Sequence, residues 1–226
     1  VMGTKGVKAI VITKKGSYRY PNLKSQAFIA ARKRFNDIVA NSDRIQVLRK
    51  YGTASTIMPV QKLGALPTNN FSLGQFEQAE KISGEALYDL IQERGGEGRN
   101  WEPCMAGCLV QCSNVVPDAS GKELVAPLEY ESICLLGSNL GIGDLDQIGK
   151  LNWLCNDLGL DSIEVGGALG VAAEAGQAKF GSYADFENIL KEIYRGSLLG
   201  RLVGMGAAIC GKVLGIERIP VDFLLV

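Results

Sequence analysis

Residues 144–161, DLDQIGKLNWLCNDLGLD, place Leu145, Ile148, Leu151, Leu154 and Leu158 at three- and four-residue intervals. At 3.6 residues per turn these side chains form one stripe, and an apolar stripe has to be buried against another element. The same period recurs along most of the chain. It predicts helices over 22–39, with Phe28, Ala31, Phe35 and Val39 on one side, and over 42–52, with Ser42 as N-cap and Gly52 as the stop. Further helices are expected around 54–63, from 72–74 to about 94, and over 128–141, 183–196 and 197–215. DSIEVGGALGVAAEAG (161–176) reads as a helix of small residues suited to close packing. No internal repeat or low-complexity segment is present. The expected fold is mainly α, a multihelical domain with a short β segment at the N-terminus.

That segment is VKAIVIT (7–13), a lone strand whose partners are not evident in the sequence. A single strand cannot satisfy its own backbone, so it reads as the remnant of a preceding β-rich domain. RIPVDFLLV at the other end is apolar and uncapped, and both termini read as cut. VVPDASGKELV (115–125) is expected to be a turn centred on D-x-S-G, flanked by two short strands.

At 226 residues the chain can bury one large core or two small ones. Lys plus Arg and Asp plus Glu number 24 each, so no basic surface is expected for nucleic acid or an anionic membrane. Apolar runs such as LVAPL and AIVI fall far short of the ~20 residues of a spanning helix, and no signal-peptide pattern opens the chain. Histidine is absent, which excludes Ser-His-Asp and Cys-His catalysis and His-ligated zinc. Acid–base chemistry would fall to carboxylates, Lys, Tyr or Cys.

Cys104, Cys108 and Cys112 recur every four residues in PCMAGCLVQCSN (103–114), half of the six cysteines within nine positions. Local disulfides would strain the bond, and no C-x-x-C is present for redox exchange. Zinc would require a fourth Cys or a distant carboxylate. An iron–sulfur cluster fits best, because closely grouped thiolates hold such clusters with a further ligand from elsewhere. Structural zinc or plain core thiols remain the alternatives. Cys134, Cys155 and Cys210 sit singly among apolar residues and are expected to be buried and inert. GAAICGK (206–212) matches part of a phosphate-binding loop, but Val213 follows in place of Ser or Thr and no strand precedes it, so no nucleotide site is expected. GIGDLDQIG lacks the dinucleotide fingerprint spacing. Glu129 and Glu131 read as charges at a helix start, where the dipole favours them.

Taken in order, VMGTKGVKAI, GALPTNNF (64–71), the cysteine segment, LEYESICLLGSN (128–139) and LCNDLGLDSIE (154–164) closely resemble the aldehyde ferredoxin oxidoreductase family of tungsten–bispterin enzymes, from residue 1 to about 215. The resemblance implies that Cys104, Cys108 and Cys112 bind a [4Fe–4S] cluster. It matches the family's pterin-binding D-x-x-G-L-D pattern to Asp157, Gly159, Leu160 and Asp161, where carboxylates can accept the ring's N–H groups. Taken alone, that segment also satisfies a plain helix end with Gly at C′. Glu131, with Glu129 as its near neighbour, is placed close to a tungsten (or molybdenum) bis-pterin centre and implied in proton transfer. The best-known family members use C-x2-C-x3-C, whereas this chain has one more residue in the first interval, which points to a divergent branch. Residues 1–20 then correspond to the end of a β-rich cofactor-binding domain and 21–226 to the helical middle domain. The resemblance further implies aldehyde oxidation with ferredoxin as electron acceptor, the rest of the parent polypeptide as partner, a homodimer, and a cytoplasmic location. The fragment alone is expected to be inactive.

Overall fold

The computed structural model describes residues 5–7, 9–13, 16 and 21–218. The chain divides into two units, Val1–Val39 and Ala40–Val226.

In the first unit a 3₁₀ turn, Pro21–Lys24, leads into helix α1, Gln26–Ala40, whose start is capped by Ser25 Oγ accepting from the Phe28 amide (3.2 Å). The expected helix is present, yet none of its side chains is buried, and Phe35 is 63% exposed. Of the expected strand at 7–13, the described residues, 7 and 9–13, adopt no strand, and Ile10, Val11 and Ile12 are exposed; residue 8 lies outside the described residues. No described segment pairs with them, and without a ladder an extended chain has nothing to fix it.

Among the described residues the buried core, from Ala54 to Cys210, lies in the second unit. Its helices are α2 (Asp43–Tyr51), α3 (Ile57–Lys62), α4 (Gly84–Arg94), α5 (Tyr130–Leu136), α6 (Leu145–Leu158), α7 (Ser162–Glu174), α8 (Tyr183–Arg195), α9 (Leu198–Gly204) and α10 (Ala207–Leu214). Helix α7 is the centre. Nine consecutive residues, Val165–Ala173, are buried, and it packs on α5, α9 and α10. The leucine stripe of α6 faces the core as expected, with Leu145, Ile148 and Leu151 buried and Leu154 and Leu158 half-buried, and the helix packs on α5 and α8. Each fully buried Leu or Ile contributes about 2 kcal/mol of transfer free energy, so this packing outweighs the modest helix propensity of the individual segments.

Three strands form one antiparallel sheet: β1 (Arg99–Glu102), β2 (Ser113–Pro117) and β3 (Glu123–Val125), in the order β1-β2-β3. The β2–β3 turn is the expected one. Asp118 Oδ1 accepts from the Ser120 amide (2.8 Å), the Ser120 hydroxyl (2.7 Å) and the Lys122 amide (3.1 Å). Strand β1, RNWE, has no apolar alternation and was not expected.

Several helix boundaries differ from the sequence reading. Ser42 occupies the N-cap position of α2 without a side-chain cap bond. The helix expected from 72–74 begins only at Gly84. Gln61 binds both backbone groups of Phe76, its Oε1 accepting from the amide and its Nε2 donating to the carbonyl (both 2.9 Å), and Ser83 Oγ then caps α4. The segment expected as one helix over 197–215 is two, α9 and α10, because Glu164 Oε1 accepts from the Ala207 amide at 2.6 Å and starts a new helix there.

Candidate functional site: the cysteine loop and the start of helix α5

The pairing of Glu102 with Ser113 closes the base of a ten-residue loop, 103–112, and all three clustered cysteines lie on it. Cys104 is exposed, and Cys108 and Cys112 are half-buried. Gly107 (φ +87°) and Gln111 (φ +53°) turn the chain back on itself. The Gln111 amide donates to Cys108 Sγ at 3.5 Å. With further support from the Val110 amide and the Cys104 side chain, it holds the Cys108 thiol below its ordinary pKa, towards the thiolate that binds metals. Burial pushes the Cys112 thiol up, and the neighbouring Glu129 carboxylate, Cys108 and Cys104 add to the shift, so the three sulfurs feel one another's charge.

Apart from Glu129, the loop rests on residues that the sequence reading missed. Helix α2 sends Arg49 Nη2 to the carbonyl of Leu109 at 2.5 Å, while its buried Nε is without a hydrogen-bond partner. Tyr51 meets Tyr88 of α4 edge to face, 5.6 Å between centroids, which fixes α2. Asn114 pairs with both backbone groups of Leu128, its Oδ1 accepting from the amide and its Nδ2 donating to the carbonyl (both 2.9 Å). Glu129 accepts from Thr53 Oγ1 (2.5 Å) and from Ser113 Oγ (3.1 Å). Glu131, two residues on, is exposed in the first turn of α5.

From α5 the site continues to the α6–α7 junction through Ser132 Oγ and Ser162 Oγ, 2.9 Å apart. These serines are the sequence neighbours of Glu131 and Asp161. Gly159 ends α6 in the left-handed region (φ +69°), and nothing stands within 4 Å of where a Cβ would be, which leaves open space on that side. Leu160 packs on the core. Asp161 caps α7, its Oδ1 accepting from the amides of Ile163 (2.8 Å) and Glu164 (3.2 Å). Asp157 is exposed and lines a cavity of about 610 Å³ with Trp153, Leu154, Leu158, Lys191, Tyr194 and Arg195. Counted back from Gly159, the first position of D-x-x-G-L-D is Asn156, also exposed, and Asp157 stands one residue later.

Among the described residues no three Cys, Asp or Glu side chains stand arranged to hold a metal ion. The donor chemistry nevertheless fits an iron–sulfur cluster: three soft thiols on one loop, one already supplied with an amide donor. Two exposed carboxylates beside open space at Gly159 likewise fit a pterin ring. The phosphate-loop look-alike is occupied by protein, because the amide end of α10 where an anion would bind is taken by Glu164. Cys134, Cys155 and Cys210 are buried as expected, with thiols pushed up by burial to about 12, 12 and 11.

A helical body thus presents a histidine-free, thiol-rich loop next to a carboxylate-bearing helix start. The sequence profile described as aldehyde ferredoxin oxidoreductase, domains 2 and 3, matches residues 30–222, and the chain belongs to that family. It is 39% identical over 177 residues to the tungsten-containing aldehyde ferredoxin oxidoreductase of Thermococcus kodakarensis and 37% identical over 175 residues to that of Pyrococcus furiosus. It is also 28% identical over 187 residues to an aliphatic sulfonate oxidoreductase, WOR-like subunit, of Pyrococcus furiosus. Each alignment takes in 77% of this chain, and the chain spans 27% of the length of each relative. Among the described residues no helix is long and apolar enough to cross a membrane.

Proposed function

We propose that this chain is the cofactor-binding helical portion of a cytoplasmic tungsten (or molybdenum) bis-pterin oxidoreductase that oxidises aldehydes to carboxylic acids. The reaction balances as aldehyde plus water giving carboxylic acid, two protons and two electrons, the electrons passing one at a time to ferredoxin. The observation that carries the reading is the family match over 30–222 with the three thiols on one closed loop inside it.

When bound, the metal–pterin group would supply the two-electron chemistry and the cluster one-electron transfer. This chain's own residues have simpler tasks. Cys104, Cys108 and Cys112 would hold iron as thiolates, and Cys108 is already biased that way. Asp161 and the turn at Gly159 and Leu160, with Asp157 one position off the family spacing, would seat a pterin through its N–H groups. Glu131, exposed at the start of α5, would accept and release protons. The 28% relative acting on sulfonates, together with the longer first cysteine interval, supports a second reading in which the same apparatus serves a substrate other than a simple aldehyde.

Anaerobic reconstitution with ferrous iron, sulfide and a small thiol tests the cluster. A broad brown absorption with matching iron and sulfide is expected. A colourless protein, or one zinc per chain, would overturn this reading in favour of a non-catalytic helical module. By itself the chain should oxidise no aldehyde; viologen-linked turnover by it would count against the assignment of the reaction to the larger enzyme.

A further inference from the structure

Glu129 occupies the N-cap position of α5 but makes no cap hydrogen bond to its own helix. Its carboxylate is turned instead to two hydroxyls, Thr53 Oγ1 on Oε2 (2.5 Å) and Ser113 Oγ on Oε1 (3.1 Å). Thr53 takes over the cap, its Oγ1 accepting from the Tyr130 amide at 2.8 Å. Four residues from three separate stretches are thus joined in one hydrogen-bonded cluster. Among the described residues no Lys or Arg pairs with Glu129. A half-buried carboxylate that forgoes both its cap and a cation is spent on what it holds, Thr53 on one oxygen and, on the other, Ser113, the residue after Cys112.

The two ends of the cysteine loop are held differently. On the Cys112 side Asn114 binds Leu128 and Glu129 binds Ser113, while Arg49 binds Leu109 in the middle of the loop. On the other side Cys104 is exposed, Met105 is exposed, and the Cys108 amide bonds only locally, to the Met105 carbonyl.

We propose that Glu129 is a positioning residue for the iron–sulfur cluster: it pins the Cys112 end of the loop to the start of α5, and its negative charge lowers the cluster's reduction potential. The inference rests on the cluster reading above. Groups behind the metal ligands fix ligand orientation and tune the metal, and removing one commonly costs about 10- to 100-fold in metal affinity. A negative charge nearby disfavours the added electron.

The test uses the reconstituted chain, with the small thiol of the mixture completing the ligand set, and the variants Glu129→Gln and Glu129→Ala. Gln keeps one acceptor and gains a donor, which a hydroxyl can meet by reversing its role. Glu129→Gln is therefore expected to keep wild-type iron content while its reduction potential rises. Glu129→Ala is expected to lose iron to a chelator about tenfold faster than wild type. Wild-type potential in Glu129→Gln would overturn the inference even if the Ala variant failed to fold. So would a wild-type chelation rate in a folded Glu129→Ala. Failure of the wild-type chain to take up iron would sink the cluster reading itself, a distinguishable result.

Discussion

Cysteine chemistry in this chain is set by environment residue by residue. Cys134, Cys155 and Cys210 are no more than 1% exposed, and burial lifts their thiols to about 12, 12 and 11, so at neutral pH they are inert core side chains. Cys108 is drawn the other way by the Gln111 amide, while Cys112 is raised, first by burial and then by Glu129. Alkylation of the native chain with iodoacetamide near pH 7, read by mass spectrometry, should therefore modify Cys108 ahead of Cys112 and leave the three core thiols untouched until the protein unfolds. Equal rates at Cys108 and Cys112 would contradict this electrostatic account. The neighbouring carboxylates divide in the same way. Glu131 is exposed, whereas Glu129 is held by two hydroxyls. Two glutamates two residues apart look alike in sequence, and only their surroundings separate a free acid from a tether.

Between elements, two contacts carry measurable weight. Arg94 at the end of α4 makes a bidentate pair with Asp146 at the start of α6 (2.6 and 2.7 Å) and also donates to the Pro117 carbonyl of β2 (2.9 Å). The side chains are 20% and 38% exposed, so solvent screening limits the pair to about 1 kcal/mol. The Arg94 hydrogen bond holds the Asp146 carboxyl below its ordinary pKa. A depressed folded-state pKa means that this stabilisation is present above the unfolded value, near 3.9, and is lost as the pH falls through the folded one. Asp146→Asn should accordingly cost about 1 kcal/mol in urea unfolding at pH 7 and progressively less below pH ~4. A pH-independent difference would contradict the ion pair. The second contact is α7 on α5. A Cβ on Gly166 would lie 2.7 Å from Leu135 Cβ and 2.9 Å from its carbonyl oxygen. Gly166→Ala should therefore destabilise by about 1–3 kcal/mol through overpacking, read as a lower urea midpoint. No change at this site would mean that the two helices can separate freely.

At the scale of the molecule, every member of the buried core among the described residues lies between Ala54 and Cys210, within the second unit, while α1 of the first unit buries no side chain. A chain beginning at Ala40 is expected to retain its helical circular dichroism and a cooperative thermal transition within a few degrees of the full chain. Loss of cooperativity would show that residues 1–39 are part of the folding unit. Most of this architecture was legible beforehand because it is written locally. The leucines of α6, the small residues of α7 and the D-x-S-G turn each declare themselves within a window of one or two turns. Strand β1 escaped because RNWE carries no alternation, and its order comes from pairing with β2. The lone strand at 7–13 was read from composition, yet no described segment supplies its ladder.

What the sequence by itself determined is the helical class, the inward faces of the long helices, the thiol and carboxylate inventory, and the family. What only the tertiary structure decided is which of those groups work together. Thr53 and Glu129, 76 residues apart, share a hydrogen bond, Glu164 takes the amide end of α10, and Ser132 meets Ser162 across the fold. Periodicity is a property of neighbours in the chain. A hydroxyl meeting a carboxylate across the fold depends on how the core has packed, and no local window records it.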